Sequence, residues 1–417
     1  MSSRGVVRVP GDKSISHRAL MLAALCVGES RISGILESAD VRSTASILRS
    51  LGVNVPELSP EMRIIGKGLR GLTAPATPLD AGNSGTTVRL MSGVVAGHEF
   101  RSRFEGDASL SRRPMKRIAE PLTAMGARFD FARGDGLPMT IEGGNLSGIS
   151  WNTRAASAQT KSAILLAGLV GQVPVAVRES RKSRDHTERM LASLGAPVST
   201  DQENVSLTPV ESIGPLEMAV PRDPSSAAYF VALALLGVHD VELPEVCLNR
   251  TRVGFLEVMK RMGGDIDCTD KVAVAGDSVA TVRARQSALS DIEIDEADVP
   301  AMIDEIPLLA CVAAAAGVEL VVKGASELRV KESDRIAAVV SNLRSIGCEA
   351  EELEDGLIVR GRGDRLAGRV VTHGDHRIAM SFGVLDCIEG NSIEIDDRDC
   401  VAVSYPRFWA DLASLTH

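Results

Sequence analysis

A helical pattern that occurs six times limits the folds open to this chain. Its first copy, residues 11–28, begins with the polar turn GDKSISHR and continues with the apolar run ALMLAALCVG. A helix that is apolar on every side is normally buried, and the N–H groups at a helix N-terminus attract anions. The segment therefore has two interpretations: a capped core helix with a solvated first turn, or a helix that binds an anion at its start.

The other five copies have the same polar start and apolar body. They are NSGTTVRLMSGVVAG, SAQTKSAILLAGLVG, SSAAYFVALALLG, DEIPLLACVAAAAG and DHRIAMSFGVLDCIEG. Their spacing of about 70 residues fills the chain with six units, and their terminal glycines predict glycine C-caps. An amphipathic second helix follows in each unit, the first five ending at Gly52, Gly126, Gly195, Gly263 and Gly347. Short β-rich runs between the helices make each unit a mixed β/α module.

Composition restricts the partners of such a fold. Six small units favour two globular halves, with a boundary at 219–226, and the strand before Gly11 could belong to either half. A net charge of −9 and 3% aromatic residues argue against nucleic-acid binding and against attraction to acidic membranes. The seven cysteines have no CxxC spacing, and no run is long enough to span a membrane, which predicts a cytoplasmic protein. No motif requires a metal or another cofactor.

Cations gather at the starts of the predicted buried helices, where the helix dipole disfavours them. Lys13, Arg18, Lys331 and Arg335 show this placement. An anion bound between such cations would remove the penalty, so the pattern favours phosphate or carboxylate ligands. Asp304 starts an apolar helix, where it could be an N-cap or a general base. Glu332 lies between Lys331 and Arg335, where it could hold or donate a proton.

Six motifs together carry a resemblance to a known family. VPGDKSISHRAL, AGNSGTTVRL, LSRRPM, SAQTKSAILLAGL, RVKESDRI and GDHRIAM resemble, in this order, those of the 5-enolpyruvylshikimate-3-phosphate synthases. GDKS, SAQTK, RDHTE and NRTR resemble the class II subgroup, which is often glyphosate-tolerant. The resemblance implies an α/β fold, a two-domain inside-out α/β barrel of six β/α repeats. One domain would comprise residues 1–11 and 223–417 and the other 12–222, with the active site in the cleft between them.

The activity implied by the resemblance is that of a 3-phosphoshikimate 1-carboxyvinyltransferase. Such an enzyme transfers the enolpyruvyl group of phosphoenolpyruvate to the 5-hydroxyl of shikimate 3-phosphate and releases phosphate, by addition and elimination through a tetrahedral intermediate. The reaction belongs to chorismate and aromatic amino acid biosynthesis and needs no cofactor. The resemblance also implies a cytoplasmic monomer that binds neither nucleic acid nor membrane.

The resemblance assigns residues to both substrates. Shikimate 3-phosphate would contact Lys13, Ser14, Arg18, Ser157, Ala158, Gln159, Arg184, Asp304 and Lys331. Phosphoenolpyruvate would contact Lys13, Gly85, Arg113, Gln159, Arg335 and Arg377. Asp304 would be the base, and Glu332 and Lys13 would carry protons.

Three positions qualify the match. Val403 stands where many relatives have a lysine, so one phosphoenolpyruvate contact is missing or supplied elsewhere. Glu327 stands where some relatives have asparagine. Strongly glyphosate-tolerant relatives can carry alanine at the position of Gly85, so this glycine and the class II motifs point in opposite directions.

Two alternatives remain at this stage. A UDP-N-acetylglucosamine enolpyruvyl transferase would share the fold but use a reactive cysteine in a basic mobile loop, and no cysteine here lies in one. A six-repeat ring such as a DNA sliding clamp would need inner helices with a basic face, whereas these helices are apolar after their first turn.

Overall fold

The computed structural model describes residues 5–153, 157–201, 203–274 and 276–416. Helices and strands alternate through these ranges, as the repeat predicts. The α-helices are α1 Lys13–Leu25, α2 Ala39–Ser50, α3 Gly85–Ala96, α4 Lys116–Met125, α5 Ala158–Gly171, α6 His186–Ser193, α7 Pro224–Leu235, α8 Gly254–Arg261, α9 Ile306–Ala316, α10 Arg335–Ser345, α11 His376–Asp386 and α12 Phe408–Thr416. Each predicted buried helix and each predicted amphipathic helix is present.

The strands form six small sheets. They are β1 Gly5–Val6, β2 Val27–Ser33, β3 Glu61–Lys67, β4 Leu79–Asp80, β5 Arg101–Glu105, β6 Arg128–Phe131, β7 Met139–Glu142, β8 Ile149–Thr153, β9 Val175–Glu179, β10 Val198–Thr200, β11 Asn204–Leu207, β12 Glu217–Ala219, β13 Val241–Cys247, β14 Asp265–Val274, β15 Asp277–Arg285, β16 Ile292–Ile294, β17 Glu319–Val322, β18 Glu349–Glu352, β19 Leu357–Arg360, β20 Ala367–Val370 and β21 Ser392–Ile395. The sheet orders are β12-β2-β3, β4-β5-β7-β6, β10-β11-β9-β8, β1-β13-β15-β14, β16-β17-β19-β18 and β20-β21.

Every sheet contains one parallel pair, and in four sheets that pair flanks a buried helix. For example, β4 pairs in parallel with β5 across α3, and β16 pairs in parallel with β17 across α9. The two other sheets take a strand from a distant part of the chain, because β12 pairs with β2 and β1 pairs with β13. In four modules the parallel pair thus flanks the module's own buried helix. In the other two modules, a distant segment of the chain supplies one strand of the pair.

The chain divides into two compact units. Unit 1 comprises Met1–Pro10, Pro221–Ala273 and Ser278–His417, and unit 2 comprises Gly11–Val220 and Val274–Asp277. Unit 2 contains α1 to α6, and unit 1 contains α7 to α12. The strand pairing described above explains why unit 1 is discontinuous, since β1 lies in its sheet with β13.

Small residues allow the inner helices of each unit to pack closely. In α7 every residue is buried, and in α1 every residue from Ile15 onward is buried. A Cβ added at Gly93 of α3 would lie 2.2 Å from the carbonyl oxygen of Ala163 in α5, so these backbones touch. The sheets bury one face, as the alternation of buried and exposed residues in β21 shows. All-round apolar helices therefore form the interior of each unit.

The predicted glycine C-caps are correct for some helices and wrong for others. The glycines after the five amphipathic helices all have positive φ angles, at Gly52, Gly126, Gly195, Gly263 and Gly347. Among the buried helices, α9 ends in a left-handed Gly317, but α1 ends at an extended Cys26 and α5 at a left-handed Gln172. At α1 the chain passes directly into β2, and the predicted glycine, Gly28, has its positive φ angle inside that strand.

The few aromatic residues concentrate at the end of unit 1. Phe408 of α12 packs edge-on against Tyr229 of α7, with ring centroids 5.4 Å apart, and also against Tyr405. Arg398 stacks over Trp409 at 3.7 Å from the ring centroid. The last helix thus packs against Tyr229 of α7, a residue that also contacts the site described below.

Candidate active site

The first turn of α1 is fixed by its own cap and by a neighbouring helix. Buried Asp12 accepts a hydrogen bond from the backbone N–H of Ile15 at 2.8 Å. The ammonium of Lys13 lies 3.1 Å from Asp40 in the first turn of α2, and 17% of the Lys13 side chain is exposed. Lys13 is therefore a positioned cation that solvent still reaches.

Arg18 is a buried guanidinium whose direction is set by three neighbours. Its Nε donates to the hydroxyl of Thr187 at 2.7 Å, and Nη2 donates to the hydroxyl of Ser162 at 2.9 Å. Its Nη1 donates to the carbonyl of Ser14 at 2.9 Å, as expected for residues four apart on one helix face. These three acceptors are neutral oxygens, and together they fix the direction of the guanidinium.

The pKa of His17 responds to its burial and to the cations of this turn. It is fully buried, and its Nδ1 lies 2.7 Å from the hydroxyl of Thr44. Burial, then the charges of Lys13 and Arg18, lower the pKa of His17 well below its ordinary value of 6.5. The imidazole is therefore neutral at neutral pH.

Gly85, the first residue of α3, leaves room for two arginines. A Cβ added there would lie 2.9 Å from Nη1 of Arg89 and 3.3 Å from Nη1 of Arg113. Arg113 is buried, and its Nη2 donates to the side-chain oxygen of Asn83 at 2.7 Å. Two guanidinium groups at a helix N-terminus form an arrangement that suits a phosphate or a carboxylate.

Sequence reasoning missed Arg89 and Asn83. Arg89 is buried one turn inside α3, and its Nη1 donates to the side-chain oxygen of Gln159 at 2.8 Å. The side-chain nitrogen of Gln159 in turn donates to Thr86 at 3.3 Å. An arginine within the apolar run TTVRLM was the available signal, because a buried arginine needs partners.

The predicted residues of the SAQTK motif lie at the start of α5. Ser157 is the N-cap residue and accepts a hydrogen bond from the backbone N–H of Thr160 at 3.3 Å. Ala158 is the first helical residue, and Ser157, Ala158 and Gln159 are all half-buried. Arg184 is half-buried in the segment that connects β9 to α6.

Arg335, the first residue of α10, is a buried hub of unit 1. Its Nε donates to Asp375 at 2.8 Å, its Nη1 to Asp304 at 3.1 Å and its Nη2 to Glu332 at 2.7 Å. Burial alone would lower the pKa of Arg335, but Asp375, Glu332 and Asp304 raise it above its ordinary value. Asp375 also caps α11, since it accepts the backbone N–H of Arg377 at 2.9 Å.

The predicted base and proton carriers of unit 1 lie around this hub. Asp304 is part of a 3₁₀ turn, Ile303–Glu305, and the residue at the N-cap of α9 is Glu305. The N-cap interpretation of Asp304 is therefore wrong. Asp304 keeps 14% of its side chain exposed and lies 3.7 Å from the ammonium of Lys331. Glu332 is likewise partly exposed, at 18%.

Arg377 belongs to a second buried group of unit 1. Its Nη1 lies 3.8 Å from Glu305, and the phenol of Tyr229 is hydrogen-bonded to it. Burial raises the pKa of Tyr229 to about 12, so the phenol remains neutral. Sequence reasoning did not assign Tyr229 or Glu305 to the site, because both appear within apolar helical segments.

The predicted site residues are divided between the two units. Unit 2 contains Lys13, Ser14, Arg18, Gly85, Arg113, Ser157, Ala158, Gln159 and Arg184, and unit 1 contains Asp304, Lys331, Glu332, Arg335 and Arg377. The two unusual positions, Val403 and Glu327, each lie in a 3₁₀ turn of unit 1. Within each unit, the predicted residues lie in or next to the starts of helices.

These groups provide bidentate cations and carboxylates next to cations, a combination that suits anionic substrates and proton transfer. Among the described residues, no cluster of three or more histidine, cysteine or acidic side chains could hold a metal ion. Each of the seven cysteines is a free thiol.

Comparison with known proteins identifies the class. The sequence profile of the EPSP synthase (3-phosphoshikimate 1-carboxyvinyltransferase) family matches residues 2–412. A 3-phosphoshikimate 1-carboxyvinyltransferase of Sulfurihydrogenibium sp. is 46% identical over 420 residues, which cover 99% of this chain and 97% of that protein. One of Bacillus pumilus is 42% identical over 99% of this chain and 97% of its own length. The chain is thus one of the carboxyvinyl transferases.

A solved structure agrees with this class. An EPSP synthase from Acinetobacter baumannii superposes with a TM-score of 0.87 at 40% identity, covering 99% of this chain and 96% of that one. The chain belongs to the EPSP synthase family. The predicted family, fold class and type of enzyme are confirmed, and neither the UDP-N-acetylglucosamine transferase nor the ring scaffold is favoured.

Proposed function

We propose that this protein transfers the enolpyruvyl group of phosphoenolpyruvate to the 5-hydroxyl of shikimate 3-phosphate and releases phosphate. The observation that carries the proposal is that Lys13, Arg18, Arg113 and Arg335 lie at or near helix starts, oriented by hydrogen bonds or ion pairs. Two phosphates and two carboxylates need such fixed cations. The match to the family over residues 2–412 supports the choice of substrates.

Most of the proposed contacts to shikimate 3-phosphate belong to unit 2. They are Lys13, Ser14, Arg18, Ser157, Ala158, Gln159 and Arg184, joined by Asp304 and Lys331 of unit 1. The start of α5 supports this role, because Ala158 and Gln159 offer backbone N–H groups of a first helical turn. Arg18 adds a guanidinium that is already oriented by Thr187 and Ser162.

Phosphoenolpyruvate is proposed to contact a second set of residues: Lys13, Gly85, Arg113, Gln159, Arg335 and Arg377. Gly85 contributes space, because a side chain there would meet Arg89 and Arg113. Arg89 acts on this site through Gln159, to which it donates a hydrogen bond. Both sets of residues, from unit 1 and unit 2, are proposed to serve one pair of substrates.

The chemistry requires three proton movements. The 5-hydroxyl loses a proton as its oxygen bonds to C2 of phosphoenolpyruvate, and C3 gains a proton to become a methyl group. Elimination then removes a proton from C3 as phosphate leaves C2. Asp304 is the proposed base, supported by Arg335 at 3.1 Å and Lys331 at 3.7 Å, which stabilise its carboxylate. Glu332 and Lys13 are the proposed proton carriers, each paired with an opposite charge.

The protein is proposed to act as a monomer in the cytoplasm, without a nucleic-acid or membrane partner. None of the helices in the described ranges is both long and apolar enough to cross a membrane. Light scattering after size-exclusion chromatography checks the monomer against the chain mass of 44.1 kDa. A dimer mass would contradict this part of the proposal.

The decisive experiment measures phosphate release from phosphoenolpyruvate. Release is expected only when shikimate 3-phosphate is present, and not with UDP-N-acetylglucosamine in its place. Shikimate 3-phosphate should also raise the thermal unfolding midpoint, because a ligand that binds the folded state stabilises it. Folded protein that releases no phosphate with both substrates present would refute the proposed function.

A further inference from the structure

The segment of residues 180–187, which follows β9 and includes the first two residues of α6, delivers two groups to the proposed shikimate 3-phosphate site, so the inference below rests on the proposed function. Arg184 lies in this segment and is a proposed ligand. Thr187, at the start of α6, accepts the hydrogen bond from Nε of Arg18. The position of this segment therefore affects two cations of the site.

Lys161 is a charge in an otherwise apolar place. It is fully buried in α5, one turn after the N-cap residue Ser157 and ahead of the apolar run AILLAGLVG. An unpaired ammonium is strongly disfavoured in such a position. The lysine has no role among the proposed substrate contacts, so its burial requires another explanation.

Two buried carboxylates explain it. The ammonium of Lys161 lies 2.6 Å from Glu179, the last residue of β9, and 2.8 Å from Glu188, in the first turn of α6. Each glutamate has only 3% of its side chain exposed. These two residues flank the segment at its two ends, so one ammonium ties both ends to α5.

The middle of the segment is tied to the same group. The hydroxyl of Ser183 donates to Glu179, and the backbone N–H of Ser183 donates to Glu179 at 3.4 Å. The carbonyl of Ser183 accepts from the ammonium of Lys161 at 3.5 Å. Ser183 directly precedes Arg184, and its N–H, carbonyl and hydroxyl groups are all bound by Glu179 or Lys161. These contacts therefore hold the backbone next to Arg184 in place.

We propose that Lys161, Glu179 and Glu188 form a buried clamp that positions residues 180–187 and thereby sets the affinity for shikimate 3-phosphate. The three are positioning residues and touch no substrate. Burial alone would lower the pKa of Lys161, but Glu188 and Glu179 raise it, so the ammonium of Lys161 stays charged at neutral pH. Its effect should be selective, because the segment carries ligands of only one of the two substrates.

The test uses a double variant that removes one charge of each sign. Lys161→Met with Glu188→Met leaves the formal net charge of the buried group unchanged and leaves Glu179 hydrogen-bonded to Ser183. The dissociation constant of shikimate 3-phosphate, measured by titration calorimetry, should rise about tenfold or more. The KM for phosphoenolpyruvate, at saturating shikimate 3-phosphate, should change less than about twofold. An unchanged dissociation constant in the folded variant would overturn the clamp.

Two comparisons separate positioning from a general structural effect. Lys182→Met removes an exposed ammonium of the same segment, 3.8 Å from Asp185, and should leave the dissociation constant unchanged. In an Arg184→Met background, the double variant should weaken binding by no more than about threefold, because coupled residues act non-additively. The full tenfold loss in that background would argue against the inference.

A milder variant keeps the test decisive if the double variant does not fold. Ser183→Ala removes one hydroxyl donor and should weaken binding of shikimate 3-phosphate by about threefold, since a hydrogen bond contributes on that scale. An unchanged affinity would then overturn the inference. Failure of the wild-type protein to bind shikimate 3-phosphate would refute the proposed function itself, and the clamp with it.

Discussion

The two units differ in the acceptors to which the arginines of their proposed sites donate hydrogen bonds. In unit 2, Arg18, Arg89 and Arg113 donate to hydroxyl, carbonyl and amide oxygens. In unit 1, Arg335 donates to three carboxylates. The pKa values differ in the same way. Burial and the charges of Lys13 and Arg18 lower the pKa of His17 in unit 2. In unit 1, the three carboxylates raise the pKa of Arg335, although burial alone would lower it.

This difference separates two tasks of one reaction. Hydroxyl, carbonyl and amide acceptors fix the direction of a guanidinium that can bind a phosphate or carboxylate. Carboxylates next to a guanidinium supply groups that can accept and return protons. Unit 2 is thus suited mainly to binding anions, with Lys13 as its one proposed proton carrier, and unit 1 to combining binding with proton transfer. The following predictions test that division, beginning with the largest effect.

Replacing Arg335 should have the largest effect on folding. Arg335→Met leaves Asp375, Glu332 and Asp304 without the guanidinium that they surround, and breaking a buried ion pair costs about 3–5 kcal/mol. Urea unfolding should show a loss of this size in the free energy of unfolding, and phosphate release should disappear. Arg344→Met, at the exposed end of the same helix, is the matched control. If Arg335→Met were as stable as the wild type, Arg335 would not be a hub that stabilises unit 1.

Replacing Lys13 should affect catalysis far more than folding. Lys13 is partly exposed, and Lys13→Met removes a cation assigned to both substrates, so kcat/KM should fall about 10²–10³-fold. The thermal unfolding midpoint should move by only a few degrees, on the order of 1 kcal/mol of stability. Lys116→Met, an exposed lysine at the start of α4, should keep full activity. Activity that survives in Lys13→Met would remove Lys13 from the site.

Acid should destabilise unit 2 through His17. The pKa of His17 is lower in the folded than in the unfolded chain, so its contribution to stability is present above pH 6.5 and is lost as pH falls below that value. The wild type should lose up to about 1.4 kcal/mol per pH unit from this residue. Urea unfolding of His17→Asn at pH 7.5, 6.5 and 5.5 should show a correspondingly flatter profile.

Two points make the pH experiment specific. His98, whose pKa burial also lowers, is present in both proteins and cancels in their difference. His373→Asn replaces an exposed histidine at a positive φ angle, which asparagine tolerates, and should not flatten the profile. Parallel profiles for wild type and His17→Asn would contradict the lowered pKa of His17.

The smallest effect is expected at Gly85. In Gly85→Ala the new Cβ would lie 2.9 Å from Nη1 of Arg89, the movable end of a flexible side chain. The KM for phosphoenolpyruvate should rise about three- to tenfold, or roughly 1 kcal/mol, while that for shikimate 3-phosphate stays constant. Steady-state kinetics with each substrate varied in turn provide the measurement. Equal increases in both KM values would mean that Gly85 does not serve one substrate in particular.

The sequence by itself determined the repeat and the chemistry of its helix starts. Six all-round apolar helices with polar first turns require burial, and burial of such helices against small sheets leaves few architectures. The motifs then indicated the family, and the positions of Lys13, Arg18 and Arg335 followed from their place in those motifs. These properties are local or periodic, so the chain order alone reveals them.

Only the tertiary structure decided which distant residues meet. Nothing in the spacing of residues predicts that Lys161 lies between Glu179 and Glu188, or that Arg89 holds Gln159, because these contacts depend on how separate helices pack. The same reason left two interpretations of Asp304 open in the sequence, and the structure rules out the N-cap, because its carboxylate contacts Arg335 and does not cap its own helix. A buried charge indicates from sequence that a partner must exist, and only packing identifies that partner.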